Sequence, residues 1–582
     1  MRQTRLWFVC LLLLSGSVFA QQVEVREAVL SNGMKFLIVE RHEAPTVACG
    51  WVARVGSVNE RPGITGISHL FEHLMFKGTK TIGTKDYEKG QEIRRKQDAI
   101  FAEMEKEYSE LRRKLLRGEI SGSIYDPENW TPRLQELRQQ LLQLFEEERA
   151  LIVKDELDRI YTQNGGAGLN AFTSEDQTAY FVTIPANKIE LWMWLESDRL
   201  LNPVFREFYS ERDVVREERR LAVESTPTGR LDEQLQAMFW QAVPYHWPVI
   251  GWASDVESIS RRQAEEYFQI HYAPNNLTGV LVGDVDPDEA LRLAEEYFGR
   301  IPRGAEDPPE VVTFEVEQVA EKRLVGEADT NPTVQMLFHT PAFYHKDTFP
   351  LELLTAALQG RTGRLYRSLV EEKELVVGEP MARLETQKYA GALRIAAEVK
   401  EGRTHQQVEE AVVEELEKLK AEPLGERELQ KLKNQVLADS HRRLRNNFFL
   451  LLQLIVYDSN GDWRYINEAP GLLQAVTADQ IQDVARRYLE PKNRTVAWYE
   501  RKAGAGPVPP ELASLPPQMR SAIQQQLSMI AQESDVALLQ QALSQMEQMA
   551  EQVTPEMKPA FDLVTRRIRE RIAELSKDEG GK

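Results

Sequence analysis

The sequence predicts an α+β fold made of two homologous α/β units, each a mixed sheet packed with helices. Three observations carry that expectation: an internal repeat, enough apolar residues for two cores, and a block of charged helix that interrupts only the first unit. The repeat joins SRRQAEEYFQIHYAPNN, which starts at Ser260, to TADQIQDVARRYLEPKN, which starts at Thr477, 217 residues later. Each segment reads as a capped helix followed by Pro-x-Asn, and each runs into an apolar strand, GVLVGDV at 279–285 and TVAWY at 495–499. The chain has 582 residues, 42% of them hydrophobic, which is enough to bury sizeable cores.

The elements follow in order along the chain. Residues 1–20 carry Arg2 and Arg5, then an apolar run, then Val18-Phe19-Ala20, the pattern of a cleavable secretory signal. The mature chain is therefore expected to start near Gln21 and to be secreted or to lie in a bacterial periplasm. Cys10 leaves with the signal, so Cys49 remains the single mature cysteine and no intramolecular disulfide can form. The first unit is expected over residues 21–302. Inside it, from about 86 to 158, the charged stretches 93–117 and 132–154 flank GEISGSIYDPENW and read as an inserted helical hairpin with solvated faces. A Pro-containing linker at 303–311 leads into the second unit, 312–502. A further linker at 503–517 precedes a Gln- and Met-rich extension, 518–582, read as one or two amphipathic helices packed on the parent domain.

Charge narrows the partners. The formal net charge is −19, so a general nucleic-acid binder is excluded for want of excess Lys and Arg, and a peptide fits better. No mature apolar run approaches the ~20 residues of a transmembrane span; the best, 448–457, contains Gln453 and reads as a buried helix.

The segment that carries chemistry is GITGISHLFEHLMFKGT at 63–79. Ile67, Leu70, Phe71, Leu74 and Met75 give a helical apolar pattern, and His69 and His73, four residues apart, project from one face. Two imidazoles so spaced form half a tetrahedral zinc site, and Glu72 beside them can reach a metal-bound water as a base without itself being a ligand. This is the inverted H-x-x-E-H arrangement. The third ligand is sought in EFYSERDVVREERRLAVE at 207–224, where Glu211 and Glu218 stand two turns apart on nearly one face. Either could bind metal while the other stays close behind it.

With these residues in view, the chain resembles the insulinase/pitrilysin family of inverted-zincin zinc metallopeptidases, in the bacterial two-domain type related to mitochondrial processing peptidase. The likeness rests on H-x-x-E-H, on the Glu211-to-Glu218 pattern, on Asn170-Ala171-Phe172-Thr173, and on Gly363-Arg364-Leu365-Tyr366 in the second unit. It implies a clamshell of two units and one Zn²⁺ per chain held by His69, His73 and Glu218. Catalysis falls to Glu72 with Glu211 in support, and substrate backbone to Asn170 and Ala171. The implied activity is zinc-dependent endopeptidase action on peptides or unfolded segments; the competing class is a non-catalytic or partner-dependent subunit or scaffold of an insulinase-like complex. His73 and Glu218 are 145 residues apart, about twice the family's usual interval, and removing the helical insert restores the spacing. Family members that cleave alone carry an Arg and a Tyr in the second unit, at positions that fall here on Val370 and Val377. The resemblance therefore implies a heterodimer with a homologous zinc-less partner that supplies Arg and Tyr; the alternative is a chain that works alone or as a homodimer with a weaker or different oxyanion donor.

Overall fold

The computed structural model describes residues 22–502, 510–512, 515, 517–533, 535–549, 553–554 and 557–579. The expected leader, residues 1–20, and most of the expected linker at 503–517 lie outside the described residues. Six strands form the first sheet: β1 (Arg26–Val29), β2 (Lys35–Glu40), β3 (Thr46–Ala53), β4 (Ala167–Thr173), β5 (Thr178–Pro185) and β6 (Leu277–Gly283), in the order β1-β2-β6-β3-β5-β4. Five form the second: β7 (Lys322–Ala328), β8 (Thr333–Thr340), β9 (Val376–Thr386), β10 (Gly391–Val399) and β11 (Arg494–Arg501), in the order β7-β11-β8-β10-β9. Leaving out β1, the two orders are the same. In each sheet the strand after the Pro-x-Asn turn runs parallel to one neighbour, β6 to β2 and β11 to β7, and antiparallel to the other, β3 or β8.

Around the first sheet stand α1 (Ile67–Leu74), α2 (Tyr87–Leu116), α3 (Pro132–Arg149), α4 (Glu156–Gln163) and α5 (Ile189–Leu201). They are followed by α6 (Phe208–Arg219), α7 (Gly229–Phe239), α8 (Ala253–Val256), α9 (Arg261–His271) and α10 (Pro287–Tyr297). The second unit holds α11 (Thr348–Leu358), α12 (His405–Ala421), α13 (Glu426–Arg445), α14 (Asn447–Asn460), α15 (Tyr465–Ala475) and α16 (Ala478–Tyr488). The repeat seen in the sequence is α9-turn-β6 against α16-turn-β11, and its chemistry is duplicated. Ser260 and Thr477 each cap their helix in a reciprocal box with Gln263 and Gln480, which satisfies backbone donors that a helix start leaves open. Asn276 donates to the carbonyls of His271 and Arg54, and Asn493, 217 residues on, to those of Tyr488 and His339, so each asparagine ties a helix end to the neighbouring strand.

The two units exchange helices. The run at 448–457 lies in α14, which belongs to the second unit but packs on β3 and β6 of the first sheet. There Leu450, Leu451, Leu454 and Ile455 are buried against Leu37, Val52, Val280 and Val282. Reciprocally, α7 of the first unit packs on β7 and β11 of the second sheet. A glycine lets α7 come close to its sheet: a Cβ on Gly326 would stand 2.4 Å from the Leu231 side chain. Buried Asp458 pins α14 by accepting from Lys35 and Thr278, and Asp232 pins α7 by accepting from Tyr499. The architecture is thus the expected clamshell of two α/β units, locked by a pair of traded helices.

The insert and the tail are less passive than their composition implies. One face of α2 and α3 forms its own apolar seam through Met104, Tyr108, Leu134 and Leu141, and another braces α6. Phe101 stacks on Tyr209 at 4.5 Å, the Tyr209 hydroxyl donates to Asp98, and Arg138 pairs with Asp213 at 2.9 Å. Among the described residues the C-terminal extension holds three helices rather than one or two: α17 (Pro517–Gln532), α18 (Val536–Met549) and α19 (Lys558–Glu579). The helical pattern is interrupted where Asp535 turns its carboxylate onto the Leu538 N–H and starts a new helix. Apolar contacts of the tail among the described residues are largely internal, such as Ile530 and Leu539 with Val564 and Ile568; Arg520 reaches the parent domain by an ion pair to Glu398 of β10.

Leu454→Ala should lower unfolding free energy by about 2–5 kcal/mol, the usual cost of truncating a fully buried leucine. The shift in denaturant midpoint measures it. Because α14 bridges the units, fluorescence and circular dichroism should shift together; unshifted curves would contradict the exchange as a stabilising contact.

Candidate metal centre

The site is built from α1 upward. Gly66 opens α1 in a left-handed conformation, φ 89°, and no side chain of the cap residue itself serves the helix. Glu60 does so instead, accepting the N–H groups of Gly66 and Ser68 at 2.8 Å each. Burial pushes its carboxyl up to about 8, against the pull of those donors. The apolar face of α1, Ile67, Leu70, Phe71 and Leu74, is fully buried, which leaves His69 and His73 on the opposite edge. Their rings lie 5.1 Å apart, centroid to centroid.

α6 crosses α1 and presents Glu218 to both rings. The Glu218 Oε1 atom is 3.8 Å from His69 Nε2, and Oε2 is 3.4 Å from His73 Nε2; one donor atom from each of the three residues lies within 4.8 Å of the others. Donors ~2.0–2.2 Å from a tetrahedral ion stand roughly 3.3–3.5 Å from one another, so the trio fits zinc with little adjustment. Two nitrogens and a carboxylate oxygen are also the donor types zinc takes. Glu217, by contrast, is exposed and pairs with Arg220.

Glu211 lies behind the trio. Its Oε2 is 3.5 Å from His73 Nδ1, the ring nitrogen turned away from Glu218, and its other oxygen is held by Lys77. A carboxylate on the far nitrogen of a ligating histidine fixes its tautomer and orientation. The charges bear out this geometry. Glu211 and Glu218 together push His73 up to about 9, whereas burial takes His69 below the usual imidazole range despite Glu218. Burial works to raise Glu211, but donors from His73 and Lys77 hold it below its ordinary value. Glu218 is likewise held low by His73. Two carboxylates held in their charged form thus face the imidazole edge of α1.

Glu72 is on the same turn of α1 but outside the trio. Its Oε2 accepts a 2.7 Å hydrogen bond from the Thr173 hydroxyl at the end of β4. β4 is an edge strand, paired only to β5, with Asn170 exposed opposite Phe181 and Ala171 buried opposite Tyr180. All seven residues singled out in the sequence thus gather at α1, α6 and β4. Three further residues escaped notice: Glu60, Lys77 and Thr173. Thr173 stood in the quoted Asn-Ala-x-Thr run, and Lys77 sits one helical turn beyond His73, so both had a local signal. Glu60 had none, since its role depends on a loop folding back.

Comparison with known proteins bears on the family and the fold. The family model described as "Insulinase (Peptidase family M16)" matches residues 35–97 and 153–251, and "Peptidase M16 inactive domain" matches 258–436. The gap in the first match, 98–152, takes in α3 and all of α2 beyond its first eleven residues. A zinc protease, PqqE, of Helicobacter pylori is 26% identical over 440 residues, covering 74% of this chain and 83% of that protein. Mitochondrial-processing peptidase subunit beta of Lentinula edodes is 24% identical over 278 residues, 47% of this chain and 44% of that one. Among solved structures, a protease from Helicobacter pylori superposes with TM-score 0.67 at 22% identity, over 82% of this chain and 99% of that one. The periplasmic protease PqqL of Escherichia coli superposes with TM-score 0.61 at 16% identity, over 86% of this chain but 50% of that one.

Metal analysis of purified variants checks the assignment of ligands. Glu218→Gln and His73→Ala should each lose bound zinc, while Glu211→Gln should weaken zinc affinity by ~10–100-fold, the usual effect of a supporting carboxylate. Equal loss in the Glu211 and Glu218 variants would mean that the ligand had been misassigned.

Proposed function

The chain belongs to the insulinase family of peptidases, M16, and from that membership we propose that it is an exported, zinc-dependent endopeptidase acting on peptides or unfolded segments. The observation that carries the reading is the convergence of His69, His73 and Glu218, with Glu72 alongside and outside the trio. Zinc held there supplies a Lewis acid that polarises a scissile carbonyl and acidifies water. Glu72 is the proton acceptor for the attacking water and returns that proton to the leaving amine. The Thr173 hydroxyl fixes one Glu72 oxygen and leaves the other free to take the proton. Lys77 holds Glu211, Glu211 holds the His73 ring, and this chain of contacts keeps the imidazole in one orientation.

Substrate backbone is read by β4. Its outer edge is unpaired, so an extended peptide can add as a further strand, with main-chain hydrogen bonds at Asn170 and Ala171 giving affinity and little sequence preference. This favours peptides and unfolded segments over folded proteins. Among the described residues no helix is long and apolar enough to cross a membrane.

A second reading concerns the partner. Val370 lies half-buried in the turn Tyr366–Glu372 and Val377 sits in β9 opposite Glu398; neither offers a donor for an oxyanion. The chain also matches half the length of PqqL, and one relative is named as a subunit. A homologous zinc-less partner that brings Arg and Tyr to the site fits these observations. A non-catalytic scaffold fits less well, because its metal trio and Glu72 are complete.

Glu72→Gln should keep zinc and lose cleavage of a quenched fluorescent peptide library by ~10²–10⁴-fold. Near-normal turnover in that variant would overturn the mechanism. Activity of the isolated chain, compared with that after mixing with the candidate partner, tests the heterodimer: full activity alone, unchanged by the partner, would rule the requirement out. N-terminal sequencing of chain from the native host should begin near Gln21; an intact Met1 in a cytosolic fraction would contradict export.

A further inference from the structure

One edge of the second sheet lacks a strand that the first sheet has. β2 and β7 hold equivalent places. Each lies parallel to the strand after the Pro-x-Asn turn, with Lys35 beside Thr278 and Lys322 beside Thr495, and those two threonines are 217 residues apart. The outer edge of β2 is covered by β1, which runs antiparallel to it over residues 35–38. β7 has no such neighbour: among the described residues its backbone bonds only to β11 and, through the Ala328 carbonyl, to Lys502. The opposite edges, β4 and β9, are free in both sheets, so the asymmetry belongs to β7 alone.

An open edge is commonly guarded by a lysine, a proline or a bulge that keeps another chain from adding to it. β7, KRLVGEA, has no proline and stays in register with β11 through all seven residues. Its two cations are drawn elsewhere. The Lys322 ammonium donates to the carbonyls of Met238 and Phe239 at the end of α7, and Arg323 turns to Glu409 of α12 and to Glu321. In the middle of the strand stands Val325, 55% exposed, an apolar side chain where a guard is expected.

The sequence of β7 is also complementary to its own reverse. When two copies pair antiparallel about Val325, every residue of the strand finds a partner: Val325 meets its own counterpart, Leu324 meets Gly326, Arg323 meets Glu327 and Lys322 meets Ala328. No like charges face each other. Glu327 is exposed and has no cationic partner among the described residues, and the Arg323 side chain stays 42% exposed with its own carboxylates bound. A two-fold axis through Val325 and perpendicular to the sheet keeps Leu324 and Gly326 of both strands on the α7 side. There Leu231 lies over Gly326, so apolar groups meet.

We propose that β7 is a dimer edge, at which two copies of this chain join their five-stranded second sheets antiparallel, centred on Val325, into one continuous sheet. The pairing does not rest on the peptidase reading, and it occupies none of the residues assigned to zinc or to substrate.

Sedimentation velocity of the mature, zinc-loaded chain across a dilution series tests this. A species of twice the chain mass is expected, dissociating to single chains on dilution. Val325→Lys, which sets two ammonium groups together on the axis, should shift that equilibrium at least tenfold toward single chains. It should keep the wild-type far-UV circular dichroism, because Val325 is exposed. Val325→Cys reads the register independently: mild oxidation should join two copies through residue 325, since Cys49 is buried. Glu327→Cys, whose two copies would stand four residues apart, roughly 13 Å, should not cross-link. A single chain at every concentration, a dimer unaffected by Val325→Lys, or a dimer that Val325→Cys fails to join would overturn the proposal; the second of these would place the contact on another surface.

Discussion

The central strands of the first sheet are apolar on two faces, and a sheet of that kind is stable only when both faces are covered. β3 and β6 are buried almost from end to end, and the helices of their own unit cover one side. The other side is covered by α14, borrowed from the second unit, while α7 is lent to the second sheet in return. The apolar run at 448–457 is explained by this constraint, since a helix between two units must bury most of its circumference. The metal centre depends on it too. α6 leads through a short turn into α7, and Arg219, at the end of α6, pairs with Glu233 of α7 at 2.7 Å. The helix carrying Glu218 is therefore anchored on one side by the exchanged helix and on the other by the insert.

The duplication separates scaffold from chemistry. Strand order, the Pro-x-Asn turns, the caps and the traded helices recur in both units, because each solves a packing or backbone hydrogen-bonding problem common to both. The polar residues between α1 and α6, and between α11 and α13, answer no such demand and have diverged. One pair presents two imidazoles and a carboxylate to a cation. The other has lost the imidazoles, carries Gln435 217 residues on from Glu218 and neutralises Glu428 with Arg364.

Much of this was legible in the sequence, and the pattern of what was not is informative. The His69–His73 spacing, the Glu211–Glu218 spacing and the repeated capped helix are local signals set by helical periodicity, and the residues lie where that periodicity puts them. The contacts that complete the site are long-range. Glu60 serves α1 only because a loop returns to it, Thr173 meets Glu72 across 101 residues, and Asp98 reaches the Tyr209 hydroxyl on α6 across 111. The charged insert read as solvated because most of its surface is; the narrow face that braces α6 has no composition of its own. The tail read as one or two helices because a single aspartate, Asp535, rather than a proline or glycine, starts the second.

The function proposed for this chain requires one zinc ion between α1 and α6 of the first unit. X-ray diffraction from crystals of the mature chain, recorded on either side of the zinc absorption edge, tests it most directly. A single anomalous peak per chain is expected, bounded by His69 Nε2, His73 Nε2 and the Glu218 carboxylate, with Glu72 outside bonding distance. A zinc peak ligated by Glu211 in place of Glu218, or none in that space from crystals of zinc-loaded protein, would contradict it.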